Sequence, residues 1–186
     1  YLADVNQQER DAQRQAEPIE PPTTILAEDD VTLEAGRPAV DRHGSGEARV
    51  ERVEFLDGAG QPTEVVAFGE PLTIRVYYRC EVPLDRPNFG LAIWSEQGWP
   101  IAAPNTRLAD HETGDITGNG HVDYHVESCP FVPGVLTFTA AITDHSTTVV
   151  YDWVERAWEL KVVPGRGFGP TGLVAIAGTW SGPANR

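Results

Sequence analysis

The segment HVDYHVE sets His121, Asp123, His125 and Glu127 in alternation with Val122, Tyr124 and Val126. In an extended chain this alternation puts the four polar groups on one face, successive members about 6.5–7 Å apart. Metal–ligand bonds are about 2.0–2.2 Å long, so neighbouring members cannot close a compact metal site without ligands from other strands. The plain reading is a solvated outer face. A polar binding face is the alternative, and a metal site comes last. The aromatic residues extend the second reading. Tyr77 lies on the polar phase of its own alternating segment beside Arg79, Trp94 and Trp99 flank Gly98, and Trp153 follows Asp152. Flat rings offer apolar area to the C–H faces of sugars, while arginine, histidine and carboxylate groups bind hydroxyls. Trp158 and Trp180 read as core or interface residues, and Trp94 and Trp99 read equally well as core or as platforms, since large aromatics are mostly well buried. The candidate binding set is therefore Tyr77, Arg79, Trp94, Trp99, His121, Asp123 and His125.

Catalytic arrangements are sparse. There is no Gly-x-Ser-x-Gly elbow and no His-Glu-x-x-His. The 28 acids offer many carboxylate pairs of the kind that hydrolyse glycosides. None is read as standing inside an apolar segment, where its pKa would rise toward that of a general acid. The single lysine, Lys161, sits in the strand-like run ELKVV rather than behind a glycine-rich loop, so a phosphate-binding loop is absent. No catalytic residue, cofactor or metal is expected. Cys80 and Cys129 have no Cys-x-x-Cys spacing, and Cys80 falls on the apolar phase of its strand, which favours buried reduced thiols. A single bridge between the two stays open for a secreted protein.

Positioning these residues requires strands. Candidates are 48–56, 63–67, 71–82, 89–96, 99–103, 121–128, 135–143, 148–153, 155–163 and 173–180, rich in Val, Ile, Thr, Tyr, Phe and Trp and separated by Gly, Pro, Asn and Asp. In 72–82 Leu72, Ile74, Val76, Tyr78, Cys80 and Val82 alternate with Thr73, Arg75, Tyr77, Arg79 and Glu81, which means one face on a core and one in water. In 48–56 the phase slips between Val50 and Val53, predicting a bulge near Glu51–Arg52. No window after residue 47 has a period of 3.6. The pattern predicts an all-β fold, an antiparallel β-sandwich of immunoglobulin-like or jelly-roll-like type, with a long strand-free stretch at 104–120.

The chain of 186 residues has a net charge of −14, a field that repels phosphate backbones and anionic lipid and puts nucleic-acid and membrane-surface binding at a disadvantage, so no nucleic-acid partner is expected. Residues 1–34 hold nine acids against two arginines, and Pro18, Pro21, Pro22 and Pro38 punctuate 18–42, which reads as an extended linker. The chain contains no methionine, which suggests that it was cut from something longer. No apolar run reaches the roughly 18 residues of a membrane span.

HGSGEARVERVEFLDGAG (43–60) is followed by FGEPLTIRVYY (68–78), PNFGLAIW (87–94), Gly98, Asn105-Thr106, FVPGVLTFTAAI (131–142), Tyr151-Asp152 and GLVAIAGTW (172–180). This set resembles the C-terminal polysaccharide-binding domain of the ATP-binding subunit of O-antigen-type ABC exporters, the Wzt type, over about residues 43–180. Most of these positions are turn and core residues. The resemblance implies that residues 1–42 are the end of a preceding ATPase domain and its linker, and that 43–186 form the binding domain. It implies a non-catalytic role, in which the domain recognises a polysaccharide for a membrane-spanning exporter subunit at the cytoplasmic side of the membrane. It further implies a homodimer, and the apolar run 172–180 is a candidate for strand exchange between copies. Two other readings stand beside it: a sugar-binding module of a secreted polysaccharide-degrading enzyme, and a structural sandwich that mediates protein contacts.

Overall fold

The structure, a computed structural model, describes residues 40–166 and 172–176. Nine strands and no helix occur among these residues. They are β1 (Arg42–His43), β2 (Ala48–Leu56), β3 (Val65–Ala67), β4 (Leu72–Leu84), β5 (Asn88–Ser95), β6 (Pro100–Ala102), β7 (Ile116–Val126), β8 (Gly134–Thr143) and β9 (Val150–Val163). Two sheets face each other. One runs β1-β9-β8-β5-β6, with β3 also on β9; the other is β2-β4-β7. All pairs are antiparallel except β3 with β9.

The core lies between the sheets; on β2 and β4 it is built from the apolar phases read in the sequence, and β5, β8 and β9 add their own buried residues. Val50, Leu72, Ile74, Ile93, Phe138, Ile142 and Leu160 are almost wholly buried. Phe55 of β2 meets Phe138 of β8 with ring centroids 4.8 Å apart, and Tyr78 of β4 meets Phe89 of β5 at 5.1 Å. Each such side chain contributes about 1.5–3 kcal/mol by leaving water. Cys80 and Cys129 are buried free thiols, and burial raises the pKa of both.

Where the alternation slips, the backbone bulges. The β2–β4 register shifts between Val50 and Arg52, as the sequence phase requires. A second irregularity separates Cys80 from Leu84 along the β4–β7 pairing. It carries Leu84 into the core and leaves Val82 46% exposed, so Val82 is not the core residue its parity suggested. The two runs 148–153 and 155–163 are one strand, β9, broken by an irregularity rather than a turn. β7 begins at Ile116, earlier than the sequence indicated, so the strand-free stretch is shorter. Of the expected strand 173–180, Val174 makes one bridge to Phe131, and residues 177–180 lie outside the described residues.

One acid overturns the view that none stands in an apolar segment. Asp152, within VVYDWV on β9, is 2% exposed. Its carboxylate accepts from Arg42 Nε at 2.9 Å and Nη2 at 2.8 Å, and from the Val50 amide at 2.6 Å. Arg42 also donates to the Val50 carbonyl at 3.1 Å. The group therefore clips β1 and β9 of one sheet to the bulge of β2 in the other. Gly44 follows with φ of +145°, where a side chain would collide with the Tyr151 backbone.

Candidate functional site

β4 and β7 are neighbours in one sheet, and their register sets Tyr77 opposite His121, Arg75 opposite Asp123 and Thr73 opposite His125. Because core-facing and outward residues alternate, these six side chains share the outer face of the three-stranded sheet. β2 adds Arg52 opposite Tyr77 and Glu54 opposite Arg75. The outcome is two polar rungs across three strands, Arg52–Tyr77–His121 and Glu54–Arg75–Asp123, with Thr73–His125 beside them.

Within the rungs the groups hold each other. The Arg52 guanidinium lies over the Tyr77 ring at 3.5 Å, and the Tyr77 hydroxyl donates to Glu54 at 2.9 Å. The Tyr77 and His121 rings are 5.7 Å apart and tilted by 48°. Arg75 grips Asp123 with two bonds, Nε to Oδ1 at 2.8 Å and Nη2 to Oδ2 at 2.7 Å. That grip lowers the Asp123 pKa and raises that of Arg75 further. Thr73 Oγ1 and His125 Nδ1 are 3.0 Å apart. Arg79 shares the face but is half-exposed and only loosely paired, with Glu51 at 4.0 Å and Glu81 at 3.8 Å.

Trp94 and Trp99 belong to the other sheet. Trp94, on β5, points away from the core between Ile93 and Ser95, which are both buried. Trp99 is 64% exposed at the β5–β6 turn, where Gly98 has φ of +81° and the Ser95 hydroxyl accepts from the Trp99 amide at 3.0 Å. Trp153 stacks on His43 at 5.9 Å, and Trp158 packs against the core. The seven candidate residues thus divide between two faces: Tyr77, Arg79, His121, Asp123 and His125 on one sheet, Trp94 and Trp99 on the other.

Between the sheets, a cleft of about 250 Å³ opens where the segment after β6 crosses from β5 to β7. Val76, Phe89, Leu91 and Val122 supply an apolar lining, with Asn105 and Asp123 among its polar members. Asn105 Oδ1 accepts from the Leu108 amide at 2.8 Å and Thr106 Oγ1 from the Phe89 amide at 3.0 Å, so both side chains hold the crossing segment as their types suggest. No group of three or more His, Cys, Asp or Glu among the described residues is placed to hold a metal ion.

A family model described as the Wzt C-terminal domain matches residues 39–176, most of the chain and all of both sheets. The chain belongs to the Wzt C-terminal domain family. The solved crystal structure of the C-terminal domain of Wzt has the same fold: it superposes with a TM-score of 0.68 at 15% identity, covering 81% of this chain and 93% of that one. The match to the CARDB domain of a Pyrococcus furiosus protein, solved with di-metal ions, covers 74% of this chain and all of that one at 11% identity, with a TM-score of only 0.36. No curated protein matches the chain. Within this Wzt-type sandwich, the alternation of 72–82 already put Arg75 on the polar phase, but the sequence alone did not reveal Arg52 and Glu54 as members of the same face, nor Arg75 as the partner of Asp123. Their parity on β2 and β4 was visible, but only the register shows which partners they meet. Arg156 gave no signal beyond the break between two apparent strands.

Proposed function

We propose that this domain recognises a polysaccharide, an O-antigen or related cell-surface glycan, without catalysis, for export by an ABC transporter. The observation that carries the reading is the outer face of β2-β4-β7, where Tyr77, His121, Asp123 and His125 lie together with Arg52, Glu54 and Arg75. Sugar hydroxyls both donate and accept, and this face offers both kinds of partner. The mutual bonds hold the side chains in place before a ligand arrives, which lowers the entropic cost of binding. Membership of the Wzt C-terminal domain family supports the exporter context.

In that context residues 1–42 end an ATPase domain and lead through an acidic linker into the binding domain, 43–186. The parent protein brings the domain to a membrane-spanning exporter subunit at the cytoplasmic face. Two copies act as a homodimer, with the C-terminal segment exchanged. An open, wet site of this type binds with Kd on the order of 1 mM to 1 μM. The test is a glycan array that includes polysaccharide from the source organism, followed by titration of the native protein, Tyr77→Ala and Asp123→Ala, with melting temperatures alongside. Loss of binding by at least tenfold in variants that still melt cooperatively supports the reading. Unchanged binding by both removes this face from the mechanism.

A further inference from the structure

We propose a second subsite, on the opposite sheet, in which Arg156 and Trp94 read an anionic substituent of the glycan, a carboxylate or a phosphate. It rests on the glycan reading above but on different residues. Along β8 and β9 the pairing runs Phe138 with Trp158 and then Ala140 with Val154, so Glu155, Arg156 and Ala157 stand opposite Thr139 alone. The extra residues force Arg156 to φ of +48°, a left-handed conformation costly for a side chain with a Cβ. The buried Thr139 hydroxyl holds it there by accepting from the Arg156 amide at 3.0 Å. Bulges of this kind re-aim a side chain. Here the guanidinium is laid over the Trp94 ring, 4.2 Å from its centre, with Nη1 also 3.7 Å from the position a Cβ on Gly98 would take.

The same Trp94 has the one buried side-chain polar atom without a hydrogen-bond partner among the described residues, its indole Nε1. Buried N–H groups in native proteins are normally paired, and an orphan calls for a physical reason. Trp99, two-thirds exposed, adds a second indole at the adjoining turn. Arginine and indole N–H groups only donate. Thr137, opposite Trp94, has a hydroxyl that donates as readily as it accepts. The carboxylates of this neighbourhood include Glu155, 3.7 Å from Arg156 in a half-exposed pair, Glu159, one strand beyond Thr137, and Glu96, in the turn between Trp94 and Trp99. A pair of adjacent, solvent-screened residues at that distance leaves the guanidinium largely available. Donors gathered over an aromatic platform suit a group that only accepts. The face of β2-β4-β7 differs, because there donors and acceptors are matched and the ligand groups are hydroxyls.

Nuclear magnetic resonance of the full chain decides the matter, with the Trp94 and Trp99 indole N–H signals as reporters. The probes are trigalacturonate, its methyl ester as the uncharged control, and mannose 6-phosphate. The expected result is that trigalacturonate or mannose 6-phosphate shifts both indole signals while the ester does not, and whichever acts names carboxylate or phosphate. Arg156→Gln lowers that affinity at least tenfold, Arg156→Lys less, and both leave the Tyr77-dependent binding of the native polysaccharide in place if that polysaccharide is neutral. Trp94→Phe keeps the platform without the N–H and serves if Arg156→Gln does not fold; it weakens the acidic probe by several-fold. Equal shifts from acid and ester, or no shift from either acidic probe, overturn the subsite. Acidic probes that bind here while no polysaccharide binds anywhere would instead leave the subsite standing and overturn the glycan-export reading.

Discussion

The Asp152 carboxylate takes three hydrogen bonds from donors on β1 and β2, strands of opposite sheets, and is almost completely buried. Replacing it by alanine leaves the Arg42 guanidinium and the Val50 amide without an acceptor. Breaking a buried pair on one side costs about 3–5 kcal/mol, and the Arg42 side chain is 32% exposed, so water recovers part of the loss. We expect Asp152→Ala to lose about 3 kcal/mol in urea denaturation and the Arg42→Ala, Asp152→Ala double variant to lose less than the sum of the singles. Asp123 behaves differently because its strut to Arg75 lies near the surface, with side chains 19% and 27% exposed. Its pKa is lowered in the folded protein, chiefly by the hydrogen bonds from Arg75. The strut therefore stabilises the fold above the ordinary carboxylate pKa of about 4 and loses its effect as pH falls through the depressed value. The stability gap between the native protein and Asp123→Asn, at most about 1 kcal/mol at neutral pH, should narrow steadily in melts taken below about pH 4. Residue types announced His121, Asp123 and His125 as one polar face, since parity alone decides that. They did not announce Asp152 as a buried anchor, because its partners lie far away in the chain.

At the scale of strands, what the sequence revealed depends on how a break in alternation is read. In β2 the apolar phase moves from Val50 to Val53, so the bulge is legible directly. In β9 the break near Arg156 looks like the gap between two strands, since Thr139, which satisfies the bulge, belongs to β8. The start of β7 was hidden for another reason. Gly118 and Gly120 carry turn chemistry in sequence, yet Gly118 takes φ of +68° inside the strand and Gly120 gives space to the Tyr78 ring. Two outcomes follow. Thr139→Val conserves shape but removes the acceptor of the Arg156 amide, which costs about 1–3 kcal/mol. Its signature is faster hydrogen exchange at that amide, with the amides of β4 and β7 unchanged. Gly120→Val presses on Tyr78, and overpacking of this kind costs about 1–3 kcal/mol, read as a lower melting temperature.

For the whole molecule, the two-sheet sandwich was legible because many short alternating segments with turn residues between them admit few other architectures. The division of the candidate residues between two faces was not legible, since sheet membership comes from long-range pairing. The C-terminal segment carries the remaining whole-molecule consequence. Residues 173–175 run beside 130–132, held by the Ala175 amide to the Pro130 carbonyl at 2.7 Å, the Val132 amide to the Leu173 carbonyl at 3.3 Å and the bridge of Val174 to Phe131. Yet Leu173, Val174 and Ile176 are 41%, 38% and 92% exposed. Three exposed apolar side chains beside a short strand pairing suit an interface, and in the proposed homodimer a second copy of the domain would cover them. In that proposed homodimer two copies would place two polar faces on one assembly, so that a repeating glycan would engage both and gain avidity without new contacts. Removing residues 172–186 should move the protein from dimer to monomer in sedimentation velocity and weaken binding to long polysaccharide far more than binding to a short oligomer. A truncated protein that still sediments as a dimer removes the exchanged segment from the proposal. If it becomes monomeric yet binds long chains unchanged, the two faces do not act on one chain.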